Sequence, residues 1–164
     1  MDVNKLLSRH GAGEKDFHGA ILHQANLQNT NLIGINLCAA DLSGADLSGA
    51  KLKGCNLSRA NLTDADLNGA DLSGANLSEI NLIGADLTNA KLERANLQKA
   101  DLRSANLTNA NMHEANLAEA ELSGADLTKA NLKDANLTDS NHTVLMKSNI
   151  ANQSPRWTSW AGSH

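Results

Sequence analysis

One five-residue phrase runs through this chain without a break from Ala20 to Leu137. The stretch ADLSGADLSGAKLKGCNLSRANLTDADLNGA (residues 40–70) shows its form: a small residue, Asp or Asn, Leu, then two mostly polar residues. Leu22 and every fifth residue onward to Leu137 give 24 centres, all Leu except Met112. Ala stands two places before the centre in 20 of the 24, with Thr30, Ile35, Cys55 and Ile80 in the other places. In an α-helix, at roughly 100° per residue, successive Leu would spiral around the axis and form no single buried stripe. In a flat strand the side-chain period is two, so an odd repeat sends successive Leu to opposite faces. A chain that turns a corner every five residues returns each Leu to one interior, the signature of a stacked-coil solenoid.

Polar residues flank most of the Leu centres, so only the Leu and the Ala two places earlier can face inward throughout. Nine of the twelve glycines (Gly19, Gly34, Gly44, Gly49, Gly54, Gly69, Gly74, Gly84 and Gly124) lie two places after a centre. That spacing predicts corners there, since Gly accepts positive φ and Asn or Asp supports its own turn. Uninterrupted A(D/N)LXX over residues 15–139 resembles the pentapeptide-repeat family. The opening MDVNKLLSRHGAGEKDFHGA also resembles the N-terminal segment of its cyanobacterial members. The resemblance implies an all-β solenoid: a right-handed quadrilateral β-helix with four repeats to a coil, hence about six coils over Ala20–Asp139. At ~4.8 Å per layer the rod is about 30 Å tall. Leu and Ala fill its axis, which argues against a ligand cavity and against an enzyme.

Three segments are expected: a helical cap over 1–14, the repeat domain over 15–139, and a C-terminal cap and tail over 140–164. Asp2 reads as a helix N-cap and Gly11 as the residue just past its end. Val3, Leu6, Leu7 and His10 share one face that can cover the first coil. Phe17 sits at a repeat centre and suits a wide first layer. Beyond Asp139 the phrase fails: Ser140 replaces Ala and His142 replaces Leu. Val144 to Ile150 reads as a cover for the last coil. The tail carries Lys147 and Arg156 but no acid after Asp139, and its PRWTSW places Trp157 and Trp160 as candidate anchors for a partner.

No apolar run is long enough to span a bilayer. Asp2 and the scattered apolar residues of Met1–Gly11 do not form a signal peptide, so a cytoplasmic setting is expected. Cys38 follows a centre and should face outward, while Cys55 replaces an inward Ala, so both are expected to be free thiols. There is no phosphate loop, no zinc-spaced cysteine pair and no nucleophile elbow, and the six histidines follow no ligand spacing. No catalytic residue, metal or cofactor is expected.

Reading the chain in twenties reveals columns. Asn26, Asp46, Asp66, Asp86, Asn106 and Asp126 precede the centres of one face. Asn36, Asn56, Asn76, Asn96, Asn116 and Asn136 form an unbroken amide column on another, which can make a ladder. A third face is richest in cations, with Lys51, Lys53, Lys91, Arg94 and Lys133 against Asp71, Glu93, Glu114 and Asp134. Stacked carboxylates repel, so Asp46, Asp66, Asp86 and Asp126 need turn hydrogen bonds, cations or a basic partner. The reading is a rigid, non-enzymatic scaffold for an unknown protein partner, with a homodimer through a rod end as a further option. The alternative, by resemblance, is a DNA mimic that modulates or protects a topoisomerase such as DNA gyrase. A net charge of only −4 and a cation-rich face weigh against it. Direct nucleic-acid binding is not expected.

Overall fold

The computed structural model describes residues 1–141. From Asp16 onward, residue i pairs in parallel with residue i+20, beginning at Asp16 with Asn36 and ending at Asn116 with Asn136. A corner falls every five residues, so each twenty-residue circuit has four sides.

The repeat 41–45 shows why the phrase has its composition. Its five amides have five different acceptors. Asp41 N–H donates down to Ala20 O (2.9 Å), whereas Leu42 and Gly44 donate up to Asn61 O (2.8 Å) and Thr63 O (2.9 Å). Ala45 N–H closes the corner on Leu42 O (3.0 Å). That leaves Ser43, whose amide the ladder does not reach; it donates to the repeat's own Asp41 Oδ1 (3.1 Å). Backbone N–H groups require acceptors, and a short side chain two residues back is placed to supply one. The phrase therefore needs Asp or Asn before the Leu.

The rule holds along the rod. Of the 25 centres from Phe17 to Leu137, 22 have Asp, Asn or Glu121 immediately before them. All 22 of those side chains accept the amide two residues on. Ile21, Lys51 and Lys91 hold the three remaining positions.

Each corner has positive φ two places after its centre, as the third residue of a type II turn requires. The nine glycines foreseen there all take it, and sixteen other residues share the conformation, among them Ala39 (φ 57°) and Arg59 (φ 58°). At four corners one side chain lies over the glycine of the next circuit. A Cβ at Gly84 would collide with Asp64 Oδ1.

The interior is filled as the period predicts. Every centre from Leu22 to Leu137 is buried, and so are the Ala positions from Ala40 to Ala135, Cys55 and Ile80 included. At the N-terminal end, helix α1 (Val3–Gly11) lays Leu6 and His10 against this core. Asp2 is the N-cap, accepting from Asn4 N–H (2.8 Å). Phe17 is buried; its ring meets His10 edge-on at 6.4 Å, with the Arg9 guanidinium 5.1 Å from its centroid. One expectation needs correction. Gly11 is the last helical residue, not the one beyond it. Ala12 caps the helix through bonds to Ser8 and His10, and Gly13 (φ 103°) makes the exit turn. Ala12 can hold a cap of φ −79° without a glycine, so the positive φ falls one place later.

Two predictions follow from core and corner. Leu87→Ala should lower unfolding stability by about 2–5 kcal/mol, measured by urea titration, since it empties a fully buried site. Ala39→Gly should raise stability by up to about 1 kcal/mol and Gly54→Ala should lower it similarly. The left-handed conformation costs a Cβ-bearing residue about 1–2 kcal/mol, against about 0.5–1 kcal/mol for glycine's extra freedom.

Candidate interaction faces

The Asp column forms as the twenty-residue reading requires: Asn26, Asp46, Asp66, Asp86, Asn106 and Asp126 are paired layer on layer. Their first task is local. Asp46 Oδ1 accepts from Ser48 N–H (2.9 Å) and Ser48 Oγ–H (2.6 Å), and Asp86 accepts from Thr88 in the same way. Asp66 accepts from Asn68 N–H and Asp126 from Thr128 N–H, each at 2.9 Å. The Ser48 hydroxyl, seconded by its amide, holds the Asp46 carboxyl below the usual carboxylate range; Thr128 does the same for Asp126.

Elsewhere some columns pair opposite charges, while Asp101 stacks on Glu121. Arg59 reaches Glu79 (3.6 Å), Arg94 reaches Glu114 (2.8 Å) and Lys99 reaches Glu119 (3.9 Å), each across one circuit. Among the described residues, Asp46–Asp66–Asp86 is the one run of three like charges in a column. The Asn column makes rungs where Asn136 Nδ2 donates to Asn116 Oδ1 (3.1 Å) and Asn116 Nδ2 to Asn96 Oδ1 (3.2 Å). At its foot Asn36 donates to Asp16 (3.0 Å).

The cation-bearing face departs from the common turn. Lys51 and Lys91 stand where the acceptor should be, on either side of Asp71 in the ladder. Asp71 satisfies Ser73 N–H (3.1 Å). Neither lysine can serve its own repeat, and the amides of Lys53 and Glu93 have no acceptor among the described residues. Lys51, Lys53 and Lys91 are exposed, and no carboxylate lies within ion-pair distance of them among the described residues. The column reading noticed these lysines only as charges. The signal it missed is their place in the phrase.

Cys38 is half-buried and Cys55 buried, both free, as foreseen; burial pushes the Cys55 thiol up to about 12. Trp157, Trp160 and the expected cover of Val144 to Ile150 lie outside the described residues. No helix among the described residues is long and apolar enough to cross a membrane.

The profile for pentapeptide repeats matches in 8 copies, with matched segments 14–38, 20–59, 40–78, 80–117 and 105–141. The chain belongs to the pentapeptide-repeat family. Its members fold as right-handed quadrilateral β-helices, in agreement with the four-cornered circuit. Among solved structures, the pentapeptide-repeat protein alr5209 from Nostoc PCC 7120 is 48% identical with a TM-score of 0.58. That match covers 61% of this chain and 80% of alr5209. Rfr23 from the cyanobacterium Cyanothece 51142 is 30% identical over 85% of this chain and 89% of its own, with a TM-score of 0.54. QnrB1, a plasmid-mediated fluoroquinolone resistance protein, is 19% identical over 87% of this chain and 91% of its own, at a TM-score of 0.50, a likeness of fold alone. No curated protein sequence matches significantly.

The turn role of the Asp column gives a pH prediction. A carboxyl whose pKa is depressed on folding stabilises above its unfolded pKa, near 3.8 for Asp, and that stabilisation is lost as pH falls through the lower folded value. Stability should therefore fall as pH drops below about 4. Asp46→Asn, which keeps the acceptor, should fold as well at neutral pH and remove part of the acid sensitivity. Asp46→Ala should cost about 1 kcal/mol at neutral pH, read by urea titration.

Proposed function

We propose that this protein is a non-enzymatic cytoplasmic scaffold, a rigid rod of about six coils capped by α1, that presents flat, differently charged walls to a protein partner. One observation carries this reading most: from Ile35 to Leu137 every inward position is buried and apolar, nearly all of them Leu or Ala, so the side chains free to vary are those on the walls. A backbone hydrogen-bonded from circuit to circuit holds those walls at a fixed spacing, and a surface that does not reorder on binding loses little entropy. The general character of the family, scaffolds rather than catalysts, agrees with this. Asp46, Asp66, Asp86 and Asp126 are the proposed acidic contact wall, and Trp157 and Trp160 the proposed tail anchors. The stacked triplet supports the acidic wall, because three like charges in register repel unless a partner offsets them.

The gyrase-modulating alternative draws on likeness of fold. Against it stand the net charge of −4 and the lysines of the third wall. An unchanged gyrase supercoiling rate at micromolar protein is the expected result.

The deciding test compares three full-length proteins in affinity capture, followed by reconstitution with the purified partner. They are the parent, an Asp46/Asp66/Asp86→Asn triple variant that keeps the turn acceptors, and a Trp157/Trp160→Ala double variant. A saturable complex with a protein that emerges chemically unaltered is expected, weakened about ten-fold or more by one variant set. Turnover of the captured protein, or no saturable complex, overturns the scaffold reading.

A further inference from the structure

Lys51 and Lys91 break the rule that 22 other repeats obey. A residue that breaks a local rule without evident gain to the fold points to function. Replacing the Asp or Asn acceptor by Lys leaves the next amide but one, of Lys53 and of Glu93, as a backbone donor with no acceptor among the described residues. It also places an exposed lysine two residues before that donor. The corner after Lys53 is bare: a Cβ built on Gly54 meets nothing within 4 Å, nor does one on Gly34 or Gly74 in the circuits below and above.

The missing partner is an oxygen acceptor. In every regular repeat the open amide is met by a carboxylate or carboxamide oxygen at about 3 Å. At Lys51 and Lys91 that oxygen must come from outside, and the ammonium groups favour its charged form. Two such sockets lie two circuits apart, about 10 Å at the usual inter-strand spacing. Asp71 between them excludes a continuous polyanion from the middle position. We propose that the wall of Lys51, Lys53 and Lys91 is a docking surface for an acidic polypeptide segment of a partner protein. Two of the segment's carboxylates replace the missing turn acceptors and bond to the Lys53 and Glu93 amides. This rests on the scaffold reading above and names a second wall, where Lys51, Lys53 and Lys91 stand with Asp71 and Glu93.

The test titrates the isotope-labelled full chain with a glutamate homopeptide, with a lysine homopeptide and inorganic phosphate as comparison probes, at low salt. The amide resonances of Lys53 and Glu93 should shift most with the glutamate peptide, and little with the others. Lys51→Asn with Lys91→Asn, which restores both turn acceptors, should raise the unfolding midpoint while weakening peptide binding about ten-fold or more. Gain of stability with loss of binding cannot come from a folding defect. Unmoved Lys53 and Glu93 amides, or unchanged affinity in the double variant, overturns the docking surface. Stronger shifts with phosphate than with the peptide overturn the assignment to a polypeptide. The scaffold reading would survive either failure, since it is tested by capture through the other wall and the tail.

Discussion

The structure depends on one short hydrogen bond, from the residue after each Leu to the side chain of the residue before it. A square coil has a geometric deficit: inter-circuit pairing and the corner bond together take four of every five amides. The fifth points where the ladder does not reach, and a side chain two residues back is the nearest source of an acceptor. Asp and Asn are short enough to turn back on their own backbone. Glu121 shows that a longer carboxylate can do so, donated to by both the amide and the hydroxyl of Ser123. With that bond in place, each circuit has its backbone hydrogen bonds made, and circuits stack with Leu and Ala filling the axis.

This constraint also separates the parts of a repeat that fold it from the parts that can vary. Leu and Ala belong to the core, and Asp or Asn to the turn. The two residues that follow are open to choice, limited only by the positive φ at the second. That choice has produced walls of different character: sign-alternating at Arg59–Glu79 and Arg94–Glu114, an amide ladder at Asn96–Asn116–Asn136, like-charged at Asp46–Asp66–Asp86. At Lys51 and Lys91 the variation has entered the turn position itself.

Much of this was legible in the sequence because the period is short and the interior chemistry uniform. The five-residue step alone excluded helix and flat strand, and glycine spacing located the corners before any coordinates. Gly11 misled because glycine usually marks the end of a helix, and here the exit turn uses Gly13 instead. Ten of the sixteen corners without glycine carry neither Asn nor Asp and had no compositional signal: Arg59 or Lys99 at positive φ is imposed by the coil, not favoured by the residue. The Asp column was visible as charge, but its turn bonds to Ser48, Thr88 and Thr128 were not, since charge alone does not tell a bound carboxylate from a free one. The lysines at 51 and 91 were likewise read as charges, because the need for an acceptor at their position emerges only from the accounting of backbone donors.

Amide hydrogen exchange, residue by residue, tests that accounting most directly. If the side chain before each Leu completes the backbone, the amides after the centres should be protected wherever Asp, Asn or Glu precedes. Ser43, Ser58, Ser73 and Thr88 are examples. His23, Lys53 and Glu93 should exchange much faster. Protection at those three positions equal to that of their neighbours would contradict the account.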